Sequence, residues 1–201
     1  ETTEEIYQSS GISTEVVDED EILSGNILKA IRARTPWLFI TLIGEFIAVN
    51  VGHHFDHTLQ ALPIIAIFMP LLAGLGGNIG TQSITLMVRG LSTGQVSLSS
   101  AMHHILRETF IGFFIGTIFG TLVTLVTWGW QHNMELGAVV GIAMAINMTM
   151  ATIIGTFTPF ALKAMKVDPA VASGPVIATT IDVLGLAIYF TLVSTFLIKV
   201  M

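Results

Sequence analysis

Five long apolar runs decide what this chain can become. They cover about 36–51, 62–91, 101–129, 136–164 and a last stretch from 169 to 198. A hydrocarbon core about 30 Å thick takes ~20 apolar residues of helix. Of the 201 residues, 52% are hydrophobic and 11% charged, against about 25% charged in ordinary globular domains. The fold class is therefore an all-α integral membrane protein with five transmembrane helices. The chain has no cysteine, which excludes a disulfide framework, a zinc–thiolate site and a thiol nucleophile.

Charge divides the chain in two. Eight of the fourteen acids lie in the first 21 residues, from Glu1 to Glu21. Residues 1–35 read as a cytosolic acidic tail and connecting helix, with Leu23, Ile27 and Ile31 at fourfold spacing. The tail is either a solvated charge run or a cation-attracting segment beside a pore mouth. Residues 36–201 form the membrane domain. The chain opens on Glu1 with no signal-peptide pattern, which reads as a piece of something longer. Lys29, Arg32, Arg34, Arg89, Arg107, Lys163 and Lys166 fall on one side of the five runs, and Lys199 on the other. The positive-inside rule then expects a cytoplasmic N-terminus and an outward C-terminus. Membrane lipid is an expected partner; nucleic acid is not.

One acid stands in the last run. A helix starting at Pro169 carries Asp182 roughly 20 Å along its axis, near mid-membrane. An ionisable group there costs at least ~2.5 kcal/mol on insertion scales, so it faces a bundle interior or a wet path. Gly174, Pro175, Ala178, Thr179 and Gly185 share its stripe at helical spacing, and all are small or lack a long side chain. Pro175 has no N–H, so the Val171 carbonyl loses its helical donor. An acid, a hydroxyl and a freed carbonyl are hard oxygen ligands, suited to Mg2+ or Ca2+. Asp168, on nearly the same face, serves as an N-cap, as an ion ligand, or as both.

The second run carries Gly74, Gly76, Gly77 and Gly80, which should loosen or break its helix and set Asn78, Thr81 and Gln82 at membrane depth. Close packing through Gly76 and Gly80 is the alternative. Asn78, Thr179, Pro175 and Gly185 are the candidate pore-lining positions. Gly112, Gly116 and Gly120 form a double GxxxG in the third run, and Glu108 at its entrance reads as interfacial, with pairing to another helix open to it. His53, His54 and His57 with Asp56 invite a metal reading, but lack the spacing of a zinc-protease helix. Glu45 lies inside the first run and matches no motif.

Pro36-Trp37-Leu38, Pro70 followed by Gly76-Gly77-Asn78-Ile79-Gly80-Thr81-Gln82-Ser83, Arg89-Gly90-Leu91, and Asp168-Pro169-Ala170 through Gly185 occur together in this order. In these motifs the chain resembles the transmembrane domain of the MgtE magnesium channel and transporter family, related to the solute carrier 41 proteins. The resemblance implies a homodimer with five helices per subunit and one pore on the twofold axis. It implies that Asp182 and its mate bind hydrated Mg2+, the transported ion, with the Ala178 backbone carbonyl. Asp168 would stand at the cytosolic mouth, and the residues before Pro36 would plug it. Gly174 stands where some relatives carry Asn, which weakens a side-chain contribution there. The cytosolic sensing domains that relatives carry before the plug are missing from this chain.

Three functions fit at this stage. Passive, voltage-driven Mg2+ conduction leads. Exchange of Mg2+ for Na+ or H+, with Glu45 or Asp182 titrating, is second. A membrane-embedded hydrolase is weakest, because Ser173-Gly174 has no His at membrane depth.

Overall fold

The computed structural model describes residues 27–167, 169 and 174–198. Six α-helices follow one another among them: α1 (Ile27–His54), α2 (Asp56–Ala61), α3 (Met69–Ser92), α4 (Ala101–Gln131), α5 (Met134–Ala164) and α6 (Gly174–Val193). Tight 3-10 turns precede α3 (Pro63–Phe68) and α4 (Leu98–Ser100), and a π-turn (Ser194–Ile198) extends α6. All but α2 belong to the five spans long and apolar enough to cross a membrane. The protein is an all-α, multi-pass membrane protein.

The helices associate through small residues, as apolar side chains gain nothing from leaving lipid. The α4–α5 hairpin is the closest pairing. Gly116 faces the backbone of Ala145, Gly120 that of Gly141, and Gly112 the Thr152 side chain. His132, in the left-handed region with φ 50°, ends α4, and the Asn133 side chain accepts from Leu136 N at 2.9 Å to start α5.

The glycine-rich stretch does not break its helix: α3 runs unbroken from Met69 to Ser92. Its glycines buy proximity instead. A Cβ on Gly80 would run into Ile181, and one on Gly77 would touch Ala178 at 3.6 Å. Facing them, Gly155 of α5 lies against the Gly80 carbonyl and Ser83. Gly76 and Gly185 both make room for Asn147. That side chain, 2% exposed, donates from Nδ2 to the Leu72 carbonyl at 2.8 Å and so ties α5 to α3. Tyr189, fully buried, donates its hydroxyl to the Ile65 carbonyl at 3.0 Å, in the 3-10 turn before α3. Both contacts satisfy polar groups where water is excluded.

Outer faces stay apolar. Leu38, Phe39, Phe46 and Val49 of α1 and Phe110, Phe114 and Ile118 of α4 are exposed. Among its described apolar side chains α1 buries only Ala48, and it packs on α6.

Candidate functional site

α6 is the helix that sets the site. Asp182 is its ninth residue, about 12 Å from the helix start. The side chain is half-buried, and its Oδ1 is buried with no hydrogen-bond partner among the described residues. A buried acceptor left this way costs ~1–3 kcal/mol, and more when charged.

The neighbouring stripe divides between two walls. Thr179, 5% exposed, lies against Gly44 of α1, and Ala178 lies against Gly77 of α3. The Thr179 hydroxyl donates to the Pro175 carbonyl at 2.7 Å, and that of Thr180 to the Val176 carbonyl at 2.9 Å. These hydroxyls are thus engaged on their own helix. Gly185 and Gly174 are buried, Gly185 against Asn147, while Pro175 is half-buried and Asn78 is exposed. Asp168 lies outside the described residues, as does the Val171 carbonyl. So do residues 1–26 of the acidic tail.

Glu45 is the residue that motif reading left without a role. It follows Gly44, which touches Thr179, and its carboxylate is within electrostatic reach of Asp182. Two helices therefore bring two acids near one another. The signal was present as a lone acid in an apolar run, but its partner sits 137 positions away and no local spacing connects them.

Two other polar features are placed by the helices around them. Glu108 is 6% exposed and accepts from Ser83 Oγ of α3 at 3.2 Å, a pairing to another helix. The histidine loop is largely helical, with His53 and His54 ending α1 and Asp56 opening α2, where it accepts from Gln60 Nε2 at 2.9 Å. Among the described residues no group of three or more His, Cys, Asp or Glu could hold a metal ion.

One chain thus offers a cation few free oxygens: an orphaned carboxylate oxygen and a second acid nearby. That set is too sparse to strip Mg2+, which loses water reluctantly and needs near-octahedral oxygen. It suits an ion that keeps its water, with further ligands from outside the chain.

Residues 69–192 match the family described as MgtE, divalent cation transporter. The chain is 37% identical over 164 residues to the magnesium transporter MgtE of Bacillus subtilis, covering 82% of this chain and 36% of that protein. It is 36% identical over 181 residues to the magnesium transporter MgtE of Enterococcus faecalis, covering 90% and 40%. To that of Thermus thermophilus it is 33% identical over 159 residues, covering 79% and 35%. The chain spans well under half the length of these relatives.

Proposed function

The chain belongs to the MgtE family of divalent cation transporters, and from that premise we propose that it carries Mg2+ across the membrane through a pore shared by two copies. Asp182 and its mate hold the ion at mid-membrane, with water retained around it. The observation that carries this is the orphaned Asp182 Oδ1 on a transmembrane helix. Its relatives are named magnesium transporters, and a hard oxygen site with a low ligand count suits hydrated Mg2+.

The Ala178 carbonyl contributes from the turn below. Asn78 on α3 faces the same path. Glu45 adds negative charge beside Asp182 without taking its place. Movement is passive and follows the membrane potential, worth ~2.3 kcal/mol per charge per 100 mV and twice that for a divalent ion. A cytoplasmic N-terminus accords with the distribution of basic residues.

A dimer completes what one chain leaves open. A twofold interface presents the same patch on both copies, so one acid per chain gives two acids per site. The native chain has no cysteine, so single cysteines placed between 174 and 185 test this directly. Cross-links between copies are expected at one or more positions near Asp182. Cross-links only at exposed α4 positions such as Phe114 and Ile118 would contradict a central pore.

A further inference from the structure

Glu108 is a buried acid that the Asp182 path does not use. It is 6% exposed, and Ser83, 4% exposed, donates to its Oε2 at 3.2 Å. The antiparallel register of α4 and α5 adds a third oxygen. Gly112 meets Thr152 and Gly116 meets Ala145, so one turn onward Glu108 comes level with Thr156. Thr156 is fully buried and its Oγ1 has no hydrogen-bond partner among the described residues. Other threonines of these two helices, Thr109, Thr149 and Thr158, donate to the carbonyl one turn back. Thr156 withholds that bond, leaving its oxygen without a partner among the described residues. Gly155, its neighbour, lies against Gly80 and Ser83 of α3 and closes the junction from the third side.

The nearby cationic side chains are occupied elsewhere or turned outward. Lys163 Nζ donates to the Leu91 carbonyl at 3.2 Å, and Arg107 is exposed. His104, one turn before Glu108, stacks its ring on Phe160 with centroids 6.4 Å apart. A carboxylate buried at a helix junction within the membrane needs a neutralising partner.

We propose that Glu108, Ser83 and Thr156 form a second cation site at the α3–α4–α5 junction, occupied by a bare monovalent cation of about sodium's size. One carboxylate balances one positive charge, whereas a divalent ion would leave a net charge buried. Hydroxyl and carboxylate oxygens are hard ligands that suit such an ion. All three side chains are buried, which disfavours an ion that keeps its full shell of water. The site lies across α3 from the Asp182 path: Gly80 touches Gly155 on one side and Ile181, next to Asp182, on the other. A bound ion therefore braces the wall behind that path.

The test is thermal unfolding of the purified full chain in detergent without Mg2+, titrated with NaCl or choline chloride at equal ionic strength. Na+ is expected to raise the melting temperature saturably, by about 5 °C, and choline is not. Glu108→Gln should abolish the Na+-dependent rise. Thr156→Val, which keeps the side-chain shape, should move its midpoint to about tenfold higher Na+ and serves if Glu108→Gln does not fold. Equal melting in both salts overturns the proposal, as does an unchanged Na+ midpoint in Thr156→Val. A Glu108→Gln protein that is more stable than native and indifferent to Na+ in both forms would identify Glu108 as a neutral, protonated acid, and also overturns it. Unfolding is read without transport, so failure here leaves the Asp182 reading untouched.

Discussion

Asp182→Asn should reduce Mg2+ uptake into proteoliposomes by at least about a hundredfold while the protein still folds. Asn keeps the shape of the side chain and removes one charge per copy, two per site in a dimer. At 4 Å one such charge attracts another by ~4 kcal/mol at an effective dielectric of 20, and a divalent ion roughly twice as strongly. Each ~1.4 kcal/mol lost is tenfold in binding. The fold should survive because Oδ1 has no hydrogen bond to lose; removing an unpaired acid from the membrane should leave the melting temperature unchanged or higher. Glu45→Gln, on the neighbouring helix, should act in the same direction but more weakly. It should raise the Mg2+ concentration for half-maximal flux by about tenfold, since Glu45 is exposed and supports the site from beside it. If Asp182→Asn transports normally and melts higher, the acid is a structural burden and not the ion site.

Gly116→Val should be strongly destabilising. A Cβ there would stand 2.7 Å from the Ala145 carbonyl oxygen and 3.1 Å from its Cα. Backbone atoms have no rotamer to change, so α4 and α5 must separate. Overpacking of this kind costs ~1–3 kcal/mol, occasionally more, or about 5–10 °C for a chain of this size. Gly129→Val, on the same helix, meets nothing within 4 Å and should melt like the native protein. Equal melting of the two variants would mean that the hairpin is not held by its small residues.

These two variants also mark what could be read without coordinates. Asp182 stood out because an acid in an apolar run is costly wherever the run spans a membrane, a local property. The Gly112–Gly116–Gly120 stripe was legible for the same reason: its spacing alone puts three small residues on one face. The glycines of α3 were harder. Four in seven residues suggest a break, yet each of Gly76, Gly77 and Gly80 is packed against α5 or α6. Those contacts lie some seventy to a hundred positions away. The helix penalty of about 1 kcal/mol per glycine is outweighed by packing that no window of sequence contains. Glu45, Glu108 and Tyr189 were opaque for that reason as well. Each matters through a residue on another helix: Asp182, Ser83 and Ile65 respectively. The three histidines show the limit of sequence proximity. They cluster in sequence, but α1 ends among them and spreads them over two helices.

The central claim is that Asp182 holds the transported ion, and ion density tests it most directly. Crystals of the dimer soaked in Mn2+ or Co2+, as anomalous stand-ins for Mg2+, should show one peak on the twofold axis at the level of Asp182. Water should lie between the metal and both carboxylates, and the peak should vanish in Asp182→Asn. A peak that persists in that variant, or metal bound elsewhere in the membrane with none beside Asp182, would contradict the account.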